Sequence, residues 1–268
     1  MATAWEFQMW GKSHDYLESA AYEAATEIHQ IESRISIFRQ ESELHELNMR
    51  GHQFLIPMDP RTYALLVESK AIWDLTGGAF DLTILPLLKA WGFVGSSGYS
   101  ASQSQVDAAM LVTGMHHLIL DDEHHAAGFD TSGASLDPGA IGKGYALDQA
   151  AGILRDLEVG GALLHGGSST ICAINGQEDG APWKVAITDP HNTTDQLGLV
   201  ELCNSSLSVS AVHGKSFEFE GKLLGHIIDP RTGYPCDGAR LSAVISESAT
   251  ITDALSTALL IGGRELSA

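Results

Sequence analysis

The sequence has few basic residues and no long apolar run, and both shortages restrict what the protein can do. Lys and Arg number 15 against 34 Asp and Glu, which gives a formal net charge of -19 at pH 7. This charge would repel a phosphate backbone, so we expect no nucleic-acid partner. No apolar run reaches the length of a membrane-spanning helix, so we expect no membrane span. An anionic ligand such as a nucleotide would need a metal ion or local positive groups.

Cysteine is also scarce. Cys172, Cys203 and Cys236 are odd in number and widely spaced, which argues against both a disulfide framework and a zinc site. The N-terminal segment has no basic start, no apolar signal core and no lipid-attachment cysteine. As written, the sequence indicates a cytoplasmic protein, and a periplasmic location stays open if a leader has been removed.

The apolar pattern predicts helices early in the chain and many short strands later. The predicted helices cover residues 15–35, 44–48, 60–76, 104–112 and 143–157, and a last helix opens near Thr252 and ends at Gly262-Gly263. The predicted strands are 117–120, 128–136, 162–164, 171–174, 183–188, 197–202, 207–212, 216–219, 225–228 and 241–246. This order favours an α+β architecture over an alternating parallel sheet, and no linker divides residues 1–268, so we expect a single domain.

The segment His226-Ile-Ile-Asp-Pro-Arg-Thr-Gly233 places an imidazole, a carboxylate and a guanidinium around a rigid turn. Pro230 fixes its own φ, and Gly233 can adopt the positive φ that reverses the chain. The segment is therefore a candidate functional turn. The alternative is a well-capped structural turn with an incidental histidine.

A second candidate is the glycine-rich segment Leu136-Asp-Pro-Gly-Ala-Ile-Gly-Lys-Gly-Tyr-Ala-Leu-Asp148. A helix is expected to begin near Lys143, so backbone N–H groups and the lysine ammonium could meet an anion there. The glycine spacing matches neither a Rossmann fingerprint nor a Walker loop, and a tight structural turn stays open.

The last predicted helix carries Asp253 and Thr257 four residues apart, and therefore on one face. A carboxylate and a hydroxyl are hard oxygen ligands that suit Mg²⁺. The alternative is a partly exposed carboxylate that compensates the helix dipole. A weaker candidate for a binding segment is Thr76-Gly-Gly-Ala-Phe-Asp-Leu-Thr83. It could pack against a planar heterocycle, or it could be a helix end followed by a core phenylalanine.

Taken in order, five stretches of the sequence resemble the FAD:protein FMN transferase family, often called ApbE. They are Ser36 to Asn48 with Ser42-Glu43, Gly77-Gly-Ala-Phe-Asp81, Asp137-Pro-Gly-Ala-Ile-Gly-Lys-Gly144, His226-Ile-Ile-Asp-Pro-Arg-Thr-Gly233 and Thr252-Asp-Ala-Leu-Ser-Thr257. The resemblance implies N-terminal helical segments packed with a largely antiparallel multi-stranded β core, related to the T-fold. It also implies a phosphotransferase-type enzyme that uses Mg²⁺ to cleave FAD, attaches FMN to a threonine of an acceptor protein and releases AMP.

The resemblance further implies roles for individual residues. The main-chain oxygen of Ala140 and the side chains of Asp253 and Thr257 would hold the metal. Lys143 would offset charge on the pyrophosphate, and His226 would assist deprotonation of the acceptor threonine, while Asp253 would act through the metal. The residues implied to line the FAD site are Met9, Phe38, Ala79, Phe80, Asp81, Asp137, Lys143, His226 and Ile227.

The expected partners are FAD and an acceptor protein with a Ser-Gly-Ala-Thr type motif, and a homodimer is one expected assembly. His165-Gly-Gly-Ser-Ser169 and Val209-Ser-Ala-Val-His213 depart from the family pattern, so we expect the acceptor-side pocket to differ. Residues 130–135 are similar to the acceptor motif, but they alternate like a buried strand, which argues against self-modification. The alternatives are an FAD pyrophosphatase that yields FMN and AMP, and a non-catalytic flavin-binding protein.

Overall fold

The computed structural model describes residues 3–94, 101–190, 192, 194–212, 216–219, 222–225, 227–236 and 239–266. The side chains of 216–219, 222–224, 264 and 265 are not part of this description. Two residues singled out by the sequence, His213 and His226, lie outside the described residues. No helix within these ranges has the length and apolar character needed to cross a membrane.

The described residues contain helices and strands throughout the chain. The helices, α1 to α7 in chain order, are His14–Ile35, Glu43–Arg50, Pro60–Leu75, Leu85–Ala90, Gln103–Met110, Gly142–Asp156 and Ala249–Gly262. The strands, β1 to β14, are Trp5–Trp10, Ile56–Pro57, Leu118–Asp121, Ala126–Phe129, Gly161–Gly166, Thr170–Ile174, Trp183–Thr188, Gln196–Leu202, Ser206–Ala211, Ser216–Phe219, Lys222–Gly225, Ile228–Asp229, Tyr234–Pro235 and Leu241–Ser246. Short 3₁₀ turns lie at Leu82–Ile84, Met115–His117, Pro138–Ala140 and Gly263–Leu266.

Every strand pair in the described part of the chain is antiparallel. Helices and antiparallel sheets occur together, which confirms the predicted α+β class. The described chain groups into two compact units. The first comprises Met1–Glu32, Ile141–Ala211 and Leu241–Ser256, and the second comprises Ser33–Ala140, Val212–Arg240 and Thr257–Ala268. The single-domain organisation stays a prediction.

The first unit is built on a five-stranded sheet in the order β1-β5-β6-β9-β14. Helix α6 packs on β5 and β6. Leu163 of β5 belongs to an apolar cluster with Trp183 and Leu202 of the β7–β8 hairpin, while the neighbouring Leu164 is also buried. Successive side chains of a strand point to opposite faces, so this strand is covered on both sides. Residues 165–169 end β5 and turn into β6, with Gly167 at a φ of +68°.

The second unit contains the three-stranded sheet β2-β4-β3 and the two-stranded pairs β10–β11 and β12–β13. An apolar cluster in this unit includes Trp91, Val106 and Ile228. The indole N–H of Trp91 donates a hydrogen bond to the carbonyl oxygen of Gly233 over 2.8 Å. This contact holds the turn between β12 and β13 against the cluster.

The structure corrects several predicted boundaries. Strand β1 precedes the first helix, although the sequence pattern was interpreted as helices first. The strand predicted at 128–136 is wrong beyond Phe129, because the chain turns there and Gly133 takes a φ of +99°. The strand predicted at 225–228 is interrupted, since β11 ends at Gly225 and Ile227 lies outside β12. The last helix begins at Ala249 and not near Thr252.

Candidate functional site

The first unit brings Lys143 and Asp253 into an ion pair. Lys143 lies in the first turn of α6, and Asp253 lies in the second turn of α7. The Nζ atom of Lys143 is 3.1 Å from Oδ1 and 3.3 Å from Oδ2 of Asp253. The aspartate side chain is 6% exposed and the lysine side chain 22% exposed. The carboxylate is therefore shielded from solvent, whereas the ammonium group is partly accessible to solvent or to a ligand.

Two further groups donate to the same carboxylate. The backbone N–H of Gly144 donates to Oδ2 of Asp253 over 3.0 Å, and the hydroxyl of Thr170 on β6 donates to Oδ1 over 2.9 Å. A buried carboxylate is costly unless it is paired and hydrogen-bonded, and here both conditions are met. The expectation that Asp253 is partly exposed near the helix start is wrong, because α7 begins earlier and packs closely on α6.

The Asp253 carboxylate is an oxygen ligand of the kind that could hold a metal ion, although the Lys143 ammonium now lies against it. Mg²⁺ prefers oxygen ligands and typically uses one or two carboxylates. Thr257 lies one turn further along the same helix as Asp253. Within the described ranges, no three His, Cys, Asp or Glu side chains are grouped so that they could hold a metal. The oxygen donors that the structure shows together at this point are the Asp253 carboxylate and the Thr170 hydroxyl, and hard oxygen donors of this kind fit Mg²⁺.

The start of α6 also offers positive character. Ile141 occupies the N-cap position and makes no side-chain cap hydrogen bond. The first N–H groups of a helix lack intrahelical partners and favour anions. The ammonium of Lys143 stands in the same turn, so this helix start could meet a phosphate group.

The second unit holds two carboxyl groups that burial makes harder to ionise. Burial raises the pKa of Asp81, against hydrogen bonds from the hydroxyl and backbone N–H of Thr83. Burial also raises the pKa of Asp137, against a 2.7 Å hydrogen bond from the N–H of Gly139. The two segments touch through the N–H of Asp137, which donates to the carbonyl of Leu82 over 2.7 Å. Polar groups are thus concentrated at the 3₁₀ turn that follows α3.

The remaining residues implied for the FAD site differ in exposure. Ala79 and Phe80 are fully buried in the second unit, whereas Phe38 is 73% exposed. Met9 lies on β1 opposite Ala162, in the first unit. Two other predicted residues lie in the second unit and are partly exposed. They are Ala140, in the 3₁₀ turn before α6, and Ile227, just before β12. Their roles toward FAD or metal stay predictions, as does that of His226.

The described part of the histidine turn contains an ion pair between Arg231 and Asp229. The guanidinium of Arg231 donates from Nε to Oδ1 of Asp229 over 2.9 Å and from a terminal nitrogen to Oδ2 over 2.8 Å. The backbone N–H of Gly233, at a φ of +78°, donates to the carbonyl of Asp229 over 2.8 Å. Asp229 and Arg231 therefore hold the shape of the turn.

Sequence reasoning missed two residues around Asp253. Thr170 is fully buried on β6, and its strand position gave no sign of a polar partner. Asp148 lies one turn after Gly144 on α6 and contacts the start of α7. The four-residue spacing places Asp148 on the same helix face as Gly144, and it could have indicated that both residues contact the same neighbouring element.

Comparison with known proteins identifies the relatives of this chain. A family model described as the ApbE family matches residues 1–267. The chain belongs to the ApbE family. The resemblance carried by the sequence motifs is thereby confirmed over nearly the whole length.

Curated relatives of this ApbE member share a name. A protein of Escherichia coli (strain K12) named FAD:protein FMN transferase is 28% identical over 272 residues, covering 99% of this chain and 77% of that protein. A Rhodobacter capsulatus protein of the same name is 31% identical over 228 residues, covering 83% of this chain and 43% of that protein.

Solved ApbE structures have the same fold. The crystal structure of the ApbE protein from Thermotoga maritima superposes with a TM-score of 0.88 at 26% identity, covering 98% of this chain and 90% of that one. The apo form of the Pseudomonas stutzeri flavinyl transferase ApbE gives a TM-score of 0.85 at 28% identity, covering 98% of this chain and 82% of that one.

Proposed function

We propose that this protein transfers FMN from FAD to a threonine of an acceptor protein, with Mg²⁺, and releases AMP. Relatives named FAD:protein FMN transferase support the flavin-transfer reaction. The observation that carries the proposal is the buried Asp253 carboxylate, fixed by Lys143, Gly144 and Thr170 at the start of α6.

Lys143 and the start of α6 bind and orient the pyrophosphate in this proposal. The net charge of -19 opposes an approaching dinucleotide, so local positive groups are required. The lysine ammonium stands on a flexible stem and can contact phosphate oxygens while remaining near Asp253. When bound at Asp253 and Thr257, with the main-chain oxygen of Ala140 as the third predicted ligand, Mg²⁺ would neutralise charge on the pyrophosphate.

The transfer is a substitution at phosphorus and needs no oxidant or reductant. The threonine Oγ atom of the acceptor attacks the phosphorus on the FMN side, so a new P–O bond forms. The P–O bond to the bridging oxygen breaks, and AMP leaves with that oxygen. The threonine proton passes to a base, for which His226 stays the predicted residue. Positioning and charge neutralisation account for most of the rate in such a reaction.

The test is to incubate the protein with FAD, Mg²⁺ and an acceptor domain that bears a Ser-Gly-Ala-Thr type motif. Flavin fluorescence on the denatured acceptor, lost when a chelator is added, is the expected result. An acceptor whose motif threonine is changed to valine is the matched control and should stay unlabelled.

Each other outcome identifies a different activity. Release of AMP and FMN without a labelled acceptor would contradict the transferase and favour an FAD pyrophosphatase. FAD that stays bound and intact after prolonged incubation with Mg²⁺ and the acceptor would contradict both enzymes and favour a flavin-binding protein.

A further inference from the structure

Asp148 on α6 accepts four hydrogen bonds from the beginning of α7. Its Oδ1 atom accepts from the N–H of Ala249 over 2.8 Å. Its Oδ2 atom accepts from the hydroxyl of Ser248 over 2.7 Å and from the N–H and hydroxyl of Thr250 over 2.8 and 2.7 Å. Both oxygen atoms of this one carboxylate are therefore committed to the first turn of another helix.

These bonds add to the local cap that a helix start usually has. The first N–H groups of a helix have no intrahelical partner, and a nearby side chain normally satisfies only one of them. Ser248 does so for Ile251, whose N–H donates to the serine Oγ over 3.2 Å. Asp148 satisfies the N–H groups of Ala249 and Thr250, and its negative charge also suits the positive end of α7.

Asp148 and Gly144 lie one turn apart and contact two points of α7 that are also about one turn apart. Gly144 donates its N–H to Asp253, whereas Asp148 accepts from Ala249. Because the two contacts are separated along both helices, they fix the position of α7 along the axis of α6 and its rotation about its own axis. The direction of the Asp253 side chain follows from that rotation.

We propose that Asp148 is a positioning residue that sets the Asp253 carboxylate for metal binding by capping α7. This inference rests on the proposed function, because it assigns Asp253 the metal. Asp148 touches neither metal nor substrate in this account. Its loss lets the start of α7 shift or fray, and displacement of a ligand by about 1 Å is enough to weaken a site strongly.

The experiment compares Asp148→Asn with Asp59→Asn in the full chain. Asp59 caps α3 through a 2.8 Å hydrogen bond from the N–H of Arg61, so it is a second capping aspartate in the other unit. Binding of Mn²⁺, used in place of Mg²⁺ and measured by electron paramagnetic resonance, is the readout that does not depend on turnover. We expect Asp148→Asn to weaken Mn²⁺ binding at least tenfold and Asp59→Asn to leave it within twofold of wild type.

A milder variant keeps the test valid if Asp148→Asn does not fold. Thr250→Val removes one of the four donors and retains the backbone N–H, and we expect a two- to fivefold loss of Mn²⁺ affinity with a folded protein. Equal Mn²⁺ affinity in wild type and in the folded α7-cap variants would overturn the positioning role. If the wild-type protein binds Mn²⁺ but transfers no flavin, the proposed function is overturned. The Mn²⁺ affinities of wild type and the α7-cap variants would still test the positioning role.

Discussion

The backbone N–H of Gly144 donates to Oδ2 of Asp253 over 3.0 Å at a point where residue 144 has no room for a side chain. A Cβ atom there would lie 2.1 Å from the carbonyl oxygen of Ala249 and 2.8 Å from the Cβ of Asp253. The nearest obstacle is main chain, so no side-chain rotation could relieve the clash. Helices α6 and α7 can approach this closely only because residue 144 is glycine.

The first prediction is that Gly144→Ala separates α6 from α7 and misplaces Asp253. Overpacking of a tight contact typically costs about 1–3 kcal/mol of unfolding free energy. Flavin transfer should fall more than about tenfold, because a catalytic group displaced by about 1 Å loses much of its effect. Urea unfolding and the denatured-acceptor fluorescence assay measure the two quantities.

Gly152→Ala is the matched control on the same helix. No heavy atom lies within 4 Å of a Cβ built at Gly152. Alanine is favoured over glycine inside a helix by about 0.5–1 kcal/mol, so this variant should be more stable and fully active. Equal effects of the two substitutions would show that the close contact at Gly144 has no special role.

The second prediction is that Asp253→Ala abolishes Mg²⁺-dependent turnover and also destabilises the protein. Removal of the carboxylate leaves the N–H of Gly144 and the hydroxyl of Thr170 without this partner. Each unsatisfied buried group costs about 1–3 kcal/mol, and the lysine adds little because its side chain is partly exposed. We therefore expect a loss of about 2–6 kcal/mol in urea unfolding. Unchanged turnover would refute the assignment of Asp253 to the metal.

The start of α7 shows which structural features the sequence could predict and which it could not. The apolar spacing predicted a helix that ends at Gly262, and α7 does end there. The predicted start near Thr252 was three residues late, because the carboxylate of Asp148 caps the helix from α6. Ser248 was a local sign of the earlier start, since its hydroxyl accepts from the N–H of Ile251, but a cap that comes from a distant element leaves no trace in the local sequence. The burial of Asp253 was missed for the same reason.

Two other differences between the predicted and the observed strands have local causes. Strand β1 alternates Trp5, Phe7 and Met9 with polar Glu6 and Gln8, so its period-two pattern was visible in the sequence and was not used. Residues 130–135 were also interpreted as an alternating strand segment, but Gly133 takes a positive φ and bends the chain, so the strand does not form there. Ser135 in this segment is nevertheless 5% exposed, which places its hydroxyl out of reach of an acceptor reaction.

The third prediction concerns competition between Lys143 and the metal for Asp253. The ammonium lies 3.1 Å from Oδ1 of Asp253, so a metal ion at that carboxylate would meet a like charge at short range. Lys143→Met keeps the apolar stem and removes the charge. We expect tighter Mn²⁺ binding in the absence of FAD but slower flavin transfer, by about ten- to a hundredfold, because a charged hydrogen bond contributes about 1.5–3 kcal/mol.

Lys184→Met is the control for the loss of one positive charge. The Lys184 side chain is 57% exposed, and its Nζ atom is 3.9 Å from Oε1 of the similarly exposed Glu201. Exposed pairs of this kind contribute little, so neither Mn²⁺ affinity nor transfer should change in this variant. Weaker Mn²⁺ binding in Lys143→Met would contradict the competition and show that the lysine supports the metal site instead.

The fourth prediction is that Asp137→Asn changes how the stability of the protein depends on pH. Burial raises the pKa of Asp137, so the folded protein holds this proton more tightly than the unfolded chain does. Between the ordinary aspartate pKa of about 3.9 and the raised value, stability therefore falls as pH rises. The asparagine has no proton to lose and can still accept from the N–H of Gly139. The variant should match wild type in urea unfolding at about pH 3.5 and exceed it at about pH 7.5. A variant that is less stable than wild type at the higher pH would mean that the charged carboxylate stabilises this turn, and that burial is not the dominant influence on Asp137.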